Sequence, residues 1–323
     1  MKDSLGREID YMRLSITDRC NLRCRYCMPH GVASIPHDKI LRYEEFLRIC
    51  HVAVKIGVKA VRVTGGEPLA RKDCVPFLKE LKAMPGLERV TLTTNGVLLE
   101  QHVTALADMR LDGVNVSIDS LNADTFFQIT GRNDFSAVWR SALAAIEAGL
   151  PVKINCVPII GLNDSEITAF AELAERYPVD VRFIEFMPSE AGERFKCVAA
   201  DDILNRLREA YPDLTEDARR RGSGPARYFK SAKMLGAAGL IAATSHCFCA
   251  GCNRIRVTSE GFLKLCLYHG DGLDLRELLR GGADDAELES AIASAVYNKP
   301  ERHFFGARTG ADMGIKNMSR IGG

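Results

Sequence analysis

The feature that most constrains this sequence is a group of three cysteines near its N-terminus. Cys20, Cys24 and Cys27 stand in a C-x₃-C-x₂-C spacing. Three thiolates can hold a cubane [4Fe–4S] cluster by three of its irons, whereas a closed cluster takes four cysteines. The fourth iron is then open to a small molecule. Because a structural zinc site normally uses four ligands, the spacing favours an iron–sulfur site that performs chemistry.

A second group of cysteines lies in the last third of the chain, at Cys249, Cys252 and Cys266. These three thiolates again suggest a cluster with one open iron. A zinc site is the alternative, and it requires a fourth ligand, which three nearby residues offer: His246, Cys247 and His269. Spacing alone leaves both interpretations open.

Composition excludes several classes of function. The 323 residues allow two domains, or one large domain with an extension, and the formal net charge of +1 creates no field that attracts nucleic acid or membranes. No apolar run approaches the ~20 residues of a transmembrane helix, and the N-terminus lacks the apolar stretch of a signal peptide. An odd number of cysteines, eleven, without such a signal favours thiolate ligands in a reducing cytoplasm.

The first 190 residues alternate short apolar runs with segments of helical period, which predicts six βα units around a parallel sheet. Helices are predicted at 43–56, 135–148 and 165–177, the first two ending at the glycines 57 and 149. Periodicity does not choose between an open sheet and a barrel. The predicted strands are Tyr11–Thr17, Ala60–Thr64, Arg89–Thr94, Gly113–Ile118, Val152–Ile160 and Val179–Phe186.

The pattern changes after about residue 188. A helix at 201–211 precedes short β-like runs, and Ser259–Gly261 is a plausible hairpin turn. We therefore expect one domain over 1–190 and a smaller α+β extension over 191–323. The β-like runs are Arg227–Lys230, Leu240–Thr244, Ile255–Thr258 and Phe262–Tyr268.

Polar signals follow the predicted strands at their carboxyl ends, where α/β active sites lie. Gly65-Gly66-Glu67-Pro68 follows the second strand and Ser117 closes the fourth. Glycines allow a backbone to approach a ligand closely. Taken alone, the glycine pair is more typical of an ordinary βα turn than of a ligand site.

Together these residues resemble the radical S-adenosylmethionine (SAM) superfamily. Cys20, Cys24 and Cys27 match its cluster ligands, and Tyr26 fills its aromatic position beside the adenine. The resemblance implies a partial (β/α)₆ barrel in which the open iron chelates SAM and cleaves it reductively to a 5′-deoxyadenosyl radical. It also assigns Gly66, Ser117 and Met187 to the SAM site, although on sequence alone Met187 is more typical of core packing.

The segment C-x₂-C-N-R-x-R-x₉-C from Cys249 to Cys266 resembles the GTP 3′,8-cyclases of molybdenum cofactor biosynthesis, and the resemblance extends over nearly the whole chain. It implies that Cys249, Cys252 and Cys266 hold a second [4Fe–4S] cluster whose open iron binds the guanine of GTP. One departure is Cys247, where the family usually has proline. We expect this thiol to point outward without a ligand role.

GTP carries about four negative charges and requires guanidinium and ammonium groups around it. The resemblance assigns six side chains to GTP, and ion pairs with barrel carboxylates are the alternative for the charged ones. The basic loop 219–221 is more typical of a solvated loop than of a phosphate site. The six side chains are Arg13, Arg62, Thr93, Lys153, Arg254 and Arg256.

The implied reaction removes the 3′ hydrogen of GTP, and attack on purine C8 gives (8S)-3′,8-cyclo-7,8-dihydroguanosine 5′-triphosphate. The resemblance further implies catalytic participation of Gly322 and Gly323, a flavodoxin- or ferredoxin-type electron donor, and a homodimer. A cyclic pyranopterin monophosphate synthase would accept the product. Two alternatives remain, a radical SAM enzyme that modifies peptides with an auxiliary cluster and a two-cluster electron carrier.

Overall fold

The computed structural model describes residues 1–28, 35–186, 195–219 and 221–303. Their contacts divide them into two compact units. Unit one contains the described residues of 1–21, 35–92 and 249–303, and unit two contains those of 22–28 and 93–248.

The strands and helices of the described residues follow in chain order. The strands are β1 Tyr11–Ser15, β2 Ala60–Thr64, β3 Arg89–Thr94, β4 Val114–Ser117, β5 Val152–Cys156, β6 Asp180–Ile184, β7 Thr215–Asp217, β8 Arg227–Lys230, β9 Ala237–Ile241, β10 Arg254–Val257, β11 Phe262–Lys264 and β12 Gly272–Asp274. The α-helices are α1 Tyr43–Lys55, α2 Cys74–Ala83, α3 Val103–Asp108, α4 Ala123–Thr130, α5 Phe135–Glu147, α6 Ile167–Arg176, α7 Ala200–Ala210, α8 Leu275–Arg280 and α9 Asp285–Tyr297.

In unit one, β1 pairs in parallel with β2 on one side and with β10 on the other, and β2 pairs in parallel with β3. An antiparallel hairpin continues this sheet from β10 to β11 and then to β12. Successive side chains alternate between the two faces of a strand. Met12 and Leu14 are therefore fully buried on one face of β1, while Arg13 lies on the other.

In unit two, β4, β5 and β6 are parallel, and β9 continues the sheet in parallel with β6. β8 and β7 add two antiparallel strands at the edge. Helices α3 to α7 belong to this unit, and Phe126 and Phe170 are among its fully buried side chains.

Most predicted elements are confirmed, with ends that shift by a few residues. β2, β3 and β8 have the predicted bounds, and glycines 57 and 149 follow α1 and α5 with φ values of 111° and 74°. The predicted hairpin is confirmed, with Gly261 at φ 86° between β10 and β11. Helices α8 and α9 were not predicted, although the capping box of Asp284 and Glu287 is a readable signal for α9.

The predicted bounds of the strand at 240–244 are wrong. β9 begins and ends three residues earlier, because its pairing with β6 runs from Ala237 to Ile241. Thr244 has left the sheet, since its amide and hydroxyl both donate to the carboxylate of Glu185.

Two further points concern the domain boundary and membrane-spanning helices. The predicted domain boundary between residues 190 and 191 falls within 187–194, outside the described residues, and stays a prediction. Among the described helices, none combines the length and hydropathy that crossing a bilayer requires.

The carboxylate of Glu185 joins three segments of unit two. It accepts hydrogen bonds from the amides of Ala200, Thr244 and Ser245 at 2.8, 2.8 and 2.9 Å, and from both hydroxyls of Thr244 and Ser245. Burial alone would raise the pKa of this carboxyl, but these donors outweigh burial and lower it. The ionised form is thus the one that the fold stabilises.

We predict that Glu185→Gln lowers the melting temperature at pH 7 by about 5 °C, because an amide presents its own N–H groups to donors. A lowered pKa in the folded state stabilises above the unfolded pKa, and this contribution disappears as the pH falls through the folded value. The difference between wild type and variant should therefore shrink below about pH 4. Thermal melts across this range measure it, and a difference that does not depend on pH would contradict the account.

Candidate functional site

The glycine loop of unit one packs directly on the segment that leads to Cys20. The amide of Gly66 donates to the Thr17 carbonyl and that of Glu67 to the Arg19 carbonyl, both at 2.7 Å. A Cβ atom on Gly65 would lie 2.6 Å from the Thr17 oxygen, and one on Gly66 would overlap the Arg19 oxygen. The glycines are thus required for a close approach of two backbones. This packing fixes the chain just before the first thiol.

Cys24 and Cys27 lie in unit two, in a turn closed by the Cys27 amide, which donates to the Cys24 carbonyl at 3.0 Å. Between them, the Tyr26 hydroxyl donates to Asp119 at 2.6 Å, and its ring packs edge-on against Phe186. Burial and the neighbouring carboxylate raise the pKa of Tyr26 well above its ordinary value. Tyr26 is therefore a neutral donor held in one orientation.

Asp119 connects this turn to the end of β4. It follows Ser117 by two residues, and its second carboxylate oxygen accepts from the Val157 amide at 2.9 Å. Burial raises the pKa of Asp119, while the bonds from Tyr26 and Val157 oppose the rise. Ser117 and Tyr26 are thus brought to one part of unit two, whereas Met187 lies outside the described residues. Asp119 lies in the polar segment that closes the fourth predicted strand, but its role as the partner of Tyr26 was not predicted from the sequence.

Four basic side chains of unit one occupy one row across adjacent strands. In the strand pairing Arg13 is opposite Arg62 on one side and Arg256 on the other, and Arg256 is opposite Lys264. Paired residues of a sheet point to the same face, with strands about 4.8 Å apart. We call these residues the basic row: Arg62, Arg13, Arg256 and Lys264. Arg254 lies two residues before Arg256 on the same face of β10.

The basic row is an unfavourable arrangement without an anion. Among the described residues, none of Arg62, Arg256 and Lys264 forms an ion pair with a carboxylate. Burial, followed by the charge of Arg254, lowers the pKa of Arg256 to about 10. Burial and the charge of Arg256 likewise hold the pKa of Arg13 well below its usual range. Clustered buried cations of this kind mark a site for a negatively charged ligand.

Two of the predicted GTP residues, one in each unit, have a polar group that is available to a ligand. The Thr93 hydroxyl and the Nε of Arg256 are buried without a hydrogen-bond partner among the described residues. Arg62, by contrast, donates from Nε to the Thr91 hydroxyl at 3.3 Å. Buried polar groups without partners are costly, so they commonly meet a ligand or water.

The second cysteine group is anchored by two basic residues that sequence analysis missed. Arg7 pairs with Asp3 and donates to the carbonyl oxygens of Cys249 and of residues 299–301, at 2.7 to 3.1 Å. The ammonium of Lys299 donates to the carbonyls of Arg254, at 2.9 Å, and of Leu265. These bonds hold the segments that carry the thiols of Cys249, Cys252 and Cys266.

Electrostatics distinguish Cys252 from the cysteines of the core. All eleven cysteines are present as thiols. Burial raises the pKa of Cys50, Cys74 and Cys156, which makes them inert core residues. Burial would also raise the pKa of Cys252, but the charges of Lys299 and of the nearby arginines outweigh it and lower the pKa. Cys252 is thus a half-buried thiol that favours the thiolate form, which is the donor that an iron–sulfur cluster or a zinc ion requires.

The structure narrows the choice of a fourth ligand for the alternative zinc site. His246 is bonded to Asp201 at 3.0 Å, and His269 to the Arg302 carbonyl at 3.1 Å. Cys247 is exposed, but its sulfur lies within 4.8 Å of the Cys249 sulfur, so the expectation that it has no ligand role stays a prediction. A ring nitrogen of His303, for which the sequence predicted no metal-binding role, lies within 4.8 Å of the sulfurs of both Cys247 and Cys249.

Lys153 has partners that the sequence did not reveal. Its ammonium donates to Asp180 at 2.8 Å and to the Tyr228 hydroxyl at 3.0 Å. The other Asp180 oxygen accepts from Arg221 at 2.6 Å. Arg221 is therefore half-buried in an ion-pair network, so the prediction of a solvated loop does not describe it, whereas Arg219 is exposed. The GTP role of Lys153 stays a prediction, and the ion pair anticipated as its alternative is present. Gly322 and Gly323 lie outside the described residues.

Comparisons with known proteins define the class of protein. Residues 14–174 match the family model of the Radical SAM superfamily, and residues 179–305 match the model described as Molybdenum Cofactor Synthesis C. The crystal structure of Streptococcus suis SuiB bound to S-adenosylmethionine shares the fold, with a TM-score of 0.63 and 18% identity over 88% of this chain and 67% of that one. The class is that of radical SAM proteins, and the predicted α/β fold, a partial (β/α)₆ barrel with an α+β extension, is confirmed.

Relatives of similar length place the chain in one family within this class. The GTP 3′,8-cyclase of Clostridium perfringens is 42% identical over 324 residues, which cover the whole of both chains. That of Desulforamulus reducens is 44% identical over 308 residues, covering 94% of this chain and 95% of its own. The chain belongs to the GTP 3′,8-cyclase family. Its membership of the superfamily implies SAM and an iron–sulfur cluster as cofactors.

We predict that Gly66→Ala reduces the iron held by the anaerobically reconstituted protein by about half, because the new methyl group displaces the backbone before Cys20. Chemical iron analysis per chain measures this loss. Gly224→Ala is the matched control, since a Cβ atom there meets no atom within 4 Å. Equal iron contents in the two variants would show that the close approach is not needed for the thiol site.

Proposed function

We propose that this protein is an enzyme that converts GTP to (8S)-3′,8-cyclo-7,8-dihydroguanosine 5′-triphosphate in molybdenum cofactor biosynthesis. The observation that carries the proposal is the basic row of unit one, which ends at the strand leading to Cys266. A site that must hold a polyanion next to thiolate ligands suits a nucleotide triphosphate and a cluster together. The names of the full-length relatives support the same reaction.

Cys20, Cys24 and Cys27 hold the cluster that binds SAM. When bound, SAM and this cluster supply hydrogen-atom abstraction from an unactivated C–H bond, which no amino-acid side chain provides. Gly66, which has no side chain to obstruct a ligand, would meet the amino group of SAM. Tyr26, whose hydroxyl is held by Asp119, would lie against the adenine. Ser117 and Met187 complete the SAM-binding set.

Cys249, Cys252 and Cys266 hold a second [4Fe–4S] cluster, which takes the guanine of GTP. The lowered pKa of Cys252 supports thiolate ligation, and Lys299 and Arg7 hold the backbone on either side of the thiols. Because His246 and His269 have other partners, a zinc ion at this site would instead need Cys247 or His303 as a ligand.

The chain's own residues bind and orient the substrate. Arg13, Arg62, Arg254 and Arg256 offer planar donor forks that match phosphate oxygens, and Thr93 adds a hydroxyl. Lys153 joins them when the triphosphate competes with Asp180 for its ammonium. Holding GTP at both ends brings the 3′ hydrogen and the reacting carbons into near-attack geometry. Gly322 and Gly323 also take part in catalysis, since glycines suit a narrow site.

The remaining parts of the proposal concern the setting of the enzyme. A flavodoxin- or ferredoxin-type protein donates electrons, and a cyclic pyranopterin monophosphate synthase accepts the product. Eleven thiols without disulfides suit a reducing cytoplasm. The enzyme acts as a homodimer.

We predict that Arg256→Ala weakens GTP binding by about 10- to 100-fold, because it removes a charged donor from the centre of the basic row. The iron content should stay at the wild-type value, since Arg256 contributes no thiolate. Anaerobic titration calorimetry with GTP, together with iron analysis, measures both quantities.

The control for this experiment is Arg89→Ala, which removes an exposed arginine at the start of β3 in the same unit. It should leave GTP affinity unchanged. An Arg256→Ala variant that binds GTP as tightly as this control would count against the assignment of GTP as substrate.

A further inference from the structure

Lys264 completes the basic row and was not anticipated as part of the site. It ends β11, and its position in the sheet is directly opposite Arg256. Only 4% of the residue is exposed. Lysine is strongly hydrated in water, so burying its ammonium without a carboxylate partner is unfavourable.

Among the described residues, the only hydrogen bond from the Lys264 ammonium goes to the carbonyl of His269, at 2.7 Å. An ammonium has three donor hydrogens, so this bond leaves two. A structural lysine that only closed a turn would not need to lie beside Arg256.

We propose that Lys264 is a further substrate-binding residue, whose ammonium donates to a phosphate oxygen of GTP together with Arg256. This inference rests on the proposed function and adds a residue to its site. A row of four cations on neighbouring strands spans roughly 14 Å, from strand spacings of about 4.8 Å, and so presents donors along an extended polyanion. The charge of the ligand offsets the repulsion within the row.

The chain offers a closely matched control in Lys230. It also ends a strand, β8, and also donates to the carbonyl five residues later, that of Leu235, at 3.2 Å. Lys230 has no arginine opposite it, since its partner in the sheet is Thr215. The two lysines thus share their local bond, whereas only Lys264 is fully buried and lies in a charged row.

The test compares Lys264→Met with Lys230→Met in the anaerobically reconstituted enzyme, using titration calorimetry. The probes are GTP, inorganic triphosphate and guanosine. We expect Lys264→Met to weaken GTP and inorganic triphosphate binding by about tenfold or more and to leave guanosine unchanged. Lys230→Met should bind all three like the wild type.

Thermal melting of the substrate-free protein gives an independent readout. Removing one buried like charge should raise the melting temperature of Lys264→Met above that of Lys230→Met, while GTP affinity falls. A purely structural lysine would change stability in the opposite direction and leave binding intact. Should Lys264→Met fail to fold, Lys264→Arg keeps the charge and should retain GTP affinity within a few-fold.

Three results would overturn the inference. They are unchanged affinity of Lys264→Met for both phosphate probes, an equal loss for guanosine, and a loss in Lys264→Arg as large as in Lys264→Met. Wild-type protein that binds no GTP would instead contradict the proposed function. The two failures are therefore distinguishable.

Discussion

Like charges on adjacent strands repel one another, and unit one nonetheless brings three guanidinium groups and an ammonium group into a single row. The backbone imposes this arrangement, because β1 pairs in register with both β2 and β10. The apolar face of β1, with Met12 and Leu14, fixes which side of the strand Arg13 occupies. Core packing therefore provides the stability that holds the cations together, and the proposed triphosphate would offset their repulsion.

The same cations act on the chemistry of the second cysteine group. Arg254 and Arg256 lower the pKa of the Cys252 thiol, as does Lys299. Thiolate ligation in turn places negative charge near Arg256 and Lys264. The second cysteine group and the basic row are thus coupled electrostatically.

Sequence analysis predicted the strands of the parallel sheets well, because buried β-branched runs such as those of β2 are distinctive. It also found both cysteine groups and most of the row by resemblance. Lys264 was not predicted because its position opposite Arg256 depends on the pairing of β10 with β11. Lys299 and Arg7 act through backbone carbonyls far away in sequence, which leave no local pattern. Asp180 could not be predicted as the partner of Lys153, because the two residues become neighbours only through the pairing of β5 with β6.

The measurement that tests the central claim most directly is the fate of the 3′ hydrogen of GTP. The reconstituted enzyme would be mixed anaerobically with dithionite, SAM and GTP that carries deuterium at C3′. We expect 5′-deoxyadenosine to form only when GTP is present and to contain the deuterium. Formation of 5′-deoxyadenosine at the same rate without GTP, or without deuterium in it, would contradict the assignment of GTP as the substrate of this site.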